Sequence, residues 1–251
     1  MEQNNFKDHF SEQAEAYSKF RPTYPDRLFQ FLASISPTNK IAWDCATGSG
    51  QAAVKLADYF ESVVATDASE KQIENAIQHP KIIYKVASAE KTDFRKMSVD
   101  LITAAQALHW FNINDFYKEV KRVLKPEGII AVWFYQLPQI SYEVDKIISH
   151  FYHEIVGKYW PPERKAIDAS YQLIPFPFEK IIPPQISMQT KWNVETLIGY
   201  LTSWSAVQNY KQERGQDPID LIKDQLLRQF SSGNEVIVNW PLTIWAGVGN
   251  P

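Results

Sequence analysis

Between residues 41 and 135 the chain alternates short apolar runs with stretches of helical period. The runs are IAWDCA at 41–46, SVVATD at 62–67, IIYKVA at 82–87, VDLITAAQ at 99–106 and GIIAVWFY at 128–135. Between the first two, Ala53, Leu56, Ala57 and Phe60 fall at i, i+3, i+4 and i+7, one face of a helix. Ser69, with Gln72 three residues on, reads as a capping box opening a second helix. A third, capped by Asn114 or Asp115, would bury Phe116, Val120, Val123 and Leu124. Lys125-Pro126-Glu127-Gly128 would stop it. Strands that alternate with helices and are apolar on both sides predict an α/β domain with a mostly parallel, doubly wound sheet.

The flanks read differently. Residues 25–35 predict an amphipathic helix with Leu28, Phe31, Leu32 and Ile35 on one face. Residues 6–24 are polar and aromatic and read as an arm or lid. Residues 141–156 predict a helix through Val144, Ile147, Ile148, Phe151, Tyr152 and Ile155. Prolines at 161, 162, 175, 177, 183 and 184 break 160–185 into loops and short pieces. Residues 186–192 predict a strand. Two helices follow, one capped by Asn193 and one opened by Asp217-Pro218. The last run, 235–248, has the composition of a closing strand or pair, with Pro241 arguing against one uninterrupted central strand. The expected organisation is a single domain over 1–251. It has an arm and helix (1–39), a ligand-binding core (40–135), an aromatic-rich cap with one strand (136–235) and a closing strand (236–251).

Composition narrows the function classes. The chain has 251 residues, 45% hydrophobic and 22% charged, which excludes a disordered, collagen-like or coiled-coil chain. A net charge of −3 supplies no bulk basic surface for nucleic acid. The longest apolar run, Ile129 to Tyr135, falls far short of the ~18 residues of a spanning helix. The start, MEQNNFKDHF, has no apolar signal core. A cytoplasmic protein with a small-molecule partner, and neither nucleic acid nor membrane, is the expectation; the oligomeric state is left open. A single cysteine builds neither an internal disulfide nor a cysteine zinc site, and no metal site is expected. Eight Trp and 14% aromatic residues suit a pocket wall.

The candidate chemistry sits after the first strand. Asp44-Cys45-Ala46-Thr47-Gly48-Ser49-Gly50 joins that strand to a helix. Glycines there let the backbone turn sharply and let a ligand approach it. The helix start offers free N–H groups to an anionic ligand group. Seventeen residues after Gly50, Asp67 ends the second strand, where a carboxylate can accept from ribose hydroxyls. A nucleoside ligand at the carboxyl edge of the sheet follows. Gly48-x-Gly50-x-x-Ala53 also fits a dinucleotide fingerprint. Asp44 argues the other way: a carboxylate at the strand mouth opposes a pyrophosphate and suits a cation.

These residues resemble a family. Asp44-x-Ala46-x-Gly48-x-Gly50, Asp67, Ala87-Ser88-Ala89-Glu90 and Ala104-Ala105-Gln106-Ala107-Leu108-His109-Trp110 are similar to class I S-adenosylmethionine-dependent methyltransferases. The small-molecule branch, of ubiquinone-biosynthesis and trans-aconitate type, is the nearest resemblance. Leu124-Lys125-Pro126-Glu127-Gly128 and Tyr17-x-x-x-Arg21-Pro22-x-Tyr24-Pro25 are similar to segments of that branch. Ala46 departs from it, standing where the family usually has its first glycine. The resemblance implies a Rossmann-like, seven-stranded sheet and S-adenosyl-L-methionine as cofactor. It also implies roles. Asp44, Ala46, Thr47, Gly48 and Gly50 would line the methionine end, Asp67 the ribose, and Ala68, Ser88, Ala89 and Glu90 the adenine. Gln106 would face the methionine or the transferring methyl, and Tyr17 and Arg21 would close over the cofactor.

On the acceptor side, alignment and exclusion of water are the main demands of an in-line methyl displacement. His109, after the fourth strand, is the candidate acid–base group. Tyr24, Trp110, Tyr135 and Trp204 are candidates for the acceptor wall; Trp43, Trp240 and Trp245 are expected in the core. The expected activity is methyl transfer to a small organic acceptor at a carboxylate or hydroxyl oxygen. Two alternatives stay open: a non-catalytic nucleoside-binding protein of the same fold, and a nicotinamide-dependent oxidoreductase.

Overall fold

The structure is a computed structural model that describes residues 22–230 and 234–249. Tyr17, Arg21 and most of the expected arm lie outside the described residues. The five apolar runs form β1 (Ile41–Cys45), β2 (Ser62–Asp67), β3 (Ile82–Val86), β4 (Val99–Ala105) and β5 (Leu124–Tyr135). They lie in the order β3-β2-β1-β4-β5 and all neighbours are parallel. β8 (Val236–Val248) adds antiparallel to β5. β6 (Glu179–Ile181) and β7 (Ser187–Trp192) pair antiparallel with opposite ends of β8. Eight strands among the described residues thus replace the seven expected, and the cap segment holds two strands rather than one. The extra one, β6, is three residues long, too short to carry an alternation.

β8 also corrects the expectation at Pro241, because it runs through the proline unbroken. Its pairing with β5 ends at Leu242, one residue away, so that ladder asks no N–H of the proline. On the other edge β7 pairs with 236–241 and β6 with 246–248, so the partner changes at the same place.

Helices cover both faces. β5 shows why: Ile129, Ala131, Trp133 and Tyr135 face one apolar cluster, and Ile130, Val132 and Phe134 the other. The first cluster takes α1 (Asp26–Ile35), α2 (Gln51–Leu56), α5 (Tyr142–His150), α7 (Val194–Thr202) and α8 (Ser205–Arg214); the second takes α4 (Ile113–Val123). Burying each large side chain contributes roughly 1.5–3 kcal/mol. Ala53, Leu56, Ala57 and Phe60 are all buried, as their spacing predicts.

Local signals held with shifts. α3 (Glu70–Glu74) opens with Ser69 Oγ accepting from the Gln72 N–H. α4 is capped by Asn112 instead of Asn114 or Asp115: its Oδ1 accepts from the Asp115 N–H. α1 buries Phe29 with Leu28 and Leu32 and leaves Phe31 half-buried. α5 widens into a π turn over Phe151–Ile155, which completes the expected 141–156 helix. The proline-rich stretch holds a 3-10 turn, Pro162–Arg164, and the four-residue α6 (Lys165–Asp168). Asn193 caps α7, and Asp217 caps a 3-10 turn, Pro218–Leu221, before α9 (Lys223–Gln229). α8, between them, was not expected; it buries only Ala206 and Val207 and shows no apolar stripe.

Candidate active site

In the order β3-β2-β1-β4-β5 the direction of winding reverses between β1 and β4, and ligands bind outside the carboxyl ends of strands at such a point. Two of the six described non-glycine residues with positive φ lie there. Ala46, after β1, has φ 53°, and Gln106, after β4, has φ 56°. A left-handed non-glycine residue costs of order 1–3 kcal/mol and persists where its surroundings hold it. Gln106 is held at both ends: its N–H donates to the Trp133 carbonyl at 2.8 Å and its Nε2 to the Tyr135 carbonyl at 3.3 Å. Gly48 has φ 56°, and the nearest heavy atom to a Cβ placed there would be 3.9 Å away. The turn needs glycine for its conformation, and the space above is open to a ligand. At Gly50 a Cβ would collide with the Tyr84 hydroxyl.

Asp44 is 1% exposed. Its carboxylate accepts from Thr47 Oγ1 at 2.5 Å and Thr103 Oγ1 at 2.7 Å, and it forms no ion pair with any described residue. Burial pushes its pKa up to about 6; the two hydroxyls oppose that rise and the charge of Asp67 adds to it. A buried carboxylate without a countercharge is costly, and a cationic ligand group would remove that cost.

Asp67 is pinned by two backbone donors: Gly48 N–H on one oxygen and Ser69 N–H on the other, both at 2.9 Å. The carboxylate therefore braces the glycine loop at that edge. Thr47 N–H reaches the Thr66 carbonyl at 2.9 Å, which ties the loop to β2. Ala68 is exposed beside them, and Ser88, Ala89 and Glu90 follow β3 at the same edge. One Glu90 oxygen accepts from the Asn112 N–H at 2.9 Å, locking the turn before α4. The root of the arm arrives here too: the Pro22 carbonyl accepts from Gln51 Nε2 at 3.3 Å.

The structure thus gathers Asp44, Ala46, Thr47, Gly48, Gly50, Asp67, Ala68, Ser88, Ala89, Glu90 and Gln106 at one edge. The acceptor candidates divide. Tyr24 is buried edge-on against Trp133 at 5.5 Å, and Tyr135 is buried in the same cluster. Trp110 is 36% exposed at the rim. Trp204 packs in the cap among Phe151, Tyr152, Trp160 and Tyr200 and is 4% exposed, so its area is spent on core packing. Trp43 and Trp240 are fully buried as expected, and Trp245 partly.

His109 stacks on Trp110 at 4.8 Å, and its Nδ1 lies 2.9 Å from the Tyr171 hydroxyl. Burial, and then the charge of Arg164, push its pKa down to about 3. His109 is then a neutral imidazole and a poor base near pH 7. In the ligand-free chain that direction runs against the expected acid–base role. Sequence reasoning missed Thr103, Tyr84, Tyr171 and Arg164. Thr103 and Tyr84 lie inside strands, where their runs read as packing; the other two lie in the proline-rich cap.

Known proteins resemble this arrangement. Residues 43–132 match the methyltransferase-domain family. A Dictyostelium discoideum protein named as a methyltransferase is 38% identical, over 94% of this chain and 93% of its own. A solved structure described as a type II methyltransferase of Anaeromyxobacter dehalogenans superposes with a TM-score of 0.88. It shares 39% identity over 92% of this chain and 99% of that one. A Saccharomyces cerevisiae protein named as an S-adenosylmethionine-dependent methyltransferase is 27% identical, over 62% of this chain and 58% of its own.

Proposed function

The chain belongs to the class I S-adenosylmethionine-dependent methyltransferases, and we propose that it methylates a small organic acceptor at oxygen. The observation that carries the cofactor side is Asp44, a buried carboxylate with no ion pair among the described residues, at the mouth of a glycine loop. That arrangement fits a cationic nucleoside and not a pyrophosphate, which disfavours a nicotinamide cofactor. When bound, the cofactor supplies a methyl group already activated on a sulfonium, next to an ammonium and a ribose. Asp44 would take the ammonium, Asp67 the ribose hydroxyls, and Ala46, Thr47, Gly48 and Gly50 the methionine end. Ala68, Ser88, Ala89 and Glu90 would flank the base, and Gln106 would face the reacting end. Tyr17 and Arg21 would close from the arm, whose root already meets Gln51.

The acceptor side is carried by His109. An imidazole held to a pKa of about 3 does not take a proton near neutrality. A carboxylate needs no base, and an acidic hydroxyl little help, so oxygen is favoured over a protonated amine. Tyr24, Tyr135 and Trp110 would form the apolar side of the pocket. Calorimetry should show S-adenosylhomocysteine binding in the micromolar range, about −7 to −8 kcal/mol, with NAD at least tenfold weaker. Comparable NAD affinity, or no turnover of a labelled methyl group on any oxygen acid, would refute this reading.

A further inference from the structure

The 3-10 turn Pro162–Arg164 packs against the turn Leu108–Trp110 that follows β4. Arg164 is thereby set beside His109 at the carboxyl edge of the sheet. Its guanidinium lies 4.7 Å from the Trp160 ring centre and 5.5 Å from that of Tyr152. Its Nε donates to the Tyr152 hydroxyl at 2.8 Å, and that hydroxyl donates to Asp168 at 2.6 Å. The segment that carries it is clamped to the sheet. Gln136, just after β5, donates to the Ile167 carbonyl at 3.3 Å and to Ser170 Oγ at 3.0 Å. Tyr171 stacks on Phe134 at 4.2 Å.

The two terminal nitrogens of Arg164 have no acceptor among the described residues, and the guanidinium has no ion pair there. Arg122 shows the contrast: its guanidinium is spent on Glu119 and on the carbonyls of Thr92 and Phe94. Arg164 is a fork fixed in plane by two rings, anchored through one nitrogen, with its paired end open. That end matches the two oxygens of a carboxylate.

We propose that Arg164 binds a carboxylate of the acceptor, and so selects organic acids whose methylated oxygen is a different atom from the two on the guanidinium. This rests on the methyl-transfer reading and deepens it. Oxygens held by a guanidinium fork give up electron density and are poor nucleophiles, so the anchored carboxylate is a handle. At the other oxygen a lone pair forms the new C–O bond. The methyl–sulfur bond breaks and its electron pair stays on sulfur. If that oxygen is a hydroxyl, its proton leaves to bulk water. One guanidinium beside a neutral imidazole balances one negative charge, which favours a carboxylate over a phosphate dianion.

The test uses protein saturated with S-adenosylhomocysteine: wild type, Arg164→Lys and Arg164→Gln. Dicarboxylic and hydroxy acids, their monoamides and a phosphate monoester are titrated in and followed at the Arg164 Nε–H signal and by calorimetry. Acids should bind wild type at least tenfold more tightly than the matching amides. That gap should fall below threefold in Arg164→Gln and lie between in Arg164→Lys, which keeps the charge and loses the fork. In turnover, KM for acids should rise at least tenfold in Arg164→Gln while kcat changes less. S-adenosylhomocysteine affinity should stay within threefold throughout. If Arg164→Gln melts the cap, the threefold or greater shrinkage in Arg164→Lys decides. Equal binding of acids and amides, a preference for the phosphate ester, or a tenfold loss of S-adenosylhomocysteine affinity in the variants would overturn the proposal. In the last case the carboxylate held is the cofactor's own. Failure of wild type to bind S-adenosylhomocysteine would instead overturn the methyl-transfer reading.

Discussion

Replacing Asp44 by Asn should make the ligand-free protein more stable and the cofactor complex weaker. Burial raises the Asp44 pKa from an ordinary 3.8 to about 6. The gap corresponds to about 3 kcal/mol by which the folded state disfavours the charged form. Because the folded pKa is the raised one, the stability this carboxyl contributes is fully present below pH 3.8. It is lost as pH rises through 6. At pH 7.5 the whole cost is present. Asn removes the charge and keeps the shape. One oxygen can still accept from Thr47. Thr103 can accept from the new Nδ2–H and turn its own proton to the Trp43 carbonyl, 3.4 Å from its Oγ1. Allowing for that rearrangement, the gain is about 1–3 kcal/mol, a rise in Tm of about 2–10 °C for a chain of this size.

The pH dependence is the discriminating part. Below pH 6 the wild-type carboxyl protonates, so the advantage of Asp44→Asn should shrink, to about half by pH 5. Affinity should move the other way. Loss of a charge-assisted contact with the ammonium costs about 1.5–3 kcal/mol, roughly 10–100-fold in Kd. Thermal unfolding at pH 5 and 7.5, with S-adenosylhomocysteine calorimetry at pH 7.5, reads both effects. Lower stability in Asp44→Asn at pH 7.5 would refute the reading of Asp44 as a buried charge awaiting a cation. So would an unchanged Kd.

Other substitutions probe the rest of the edge. Asp67→Ala leaves the Gly48 and Ser69 N–H groups without their acceptor, so stability and cofactor affinity should each fall by about 1–3 kcal/mol. An affinity loss with Tm unchanged would mean that the carboxylate does not brace the loop. Ala46→Gly should change stability by less than about 1 kcal/mol, because relief of the left-handed strain is offset by a freer unfolded chain. Ala46→Val should destabilise by more than 1 kcal/mol, and unfolding curves showing Val tolerated would place that turn in another conformation. His109 should stay neutral by nitrogen chemical shift from pH 8 down to pH 5, and the rate profile should show no titration near 6.5 that disappears in His109→Gln.

What the sequence disclosed followed from two strict requirements. Central parallel strands buried on both faces are largely apolar, so β1, β4 and the 128–135 part of β5 stood out as runs, while the edge strand β3 stood out although it is only half-buried. A ligand loop at a strand end needs residues that tolerate positive φ, so Gly48 and Gly50 marked the site, with Asp67 at the next strand end. The strain at Ala46 and Gln106 obeys the same requirement but is hidden, because neither residue type announces a left-handed backbone. The acceptor side had no comparable constraint. Trp110 and Trp204 are alike in composition and near in expected position, yet one is at the rim and the other is spent in the cap core. The difference is decided by what Phe151, Tyr152 and Trp160 pack against, and pattern along the chain does not encode that. Arg164 was invisible for the same reason. Arginines are ordinary on surfaces, and this one becomes informative only when Tyr152 and Trp160 hold its plane and the 162–171 segment docks over β4 and β5. A site whose cofactor half rests on backbone geometry is readable from glycines and strand ends. Side chains such as Arg164, brought to that edge by a remote cap, become readable only after the cap has folded onto the sheet.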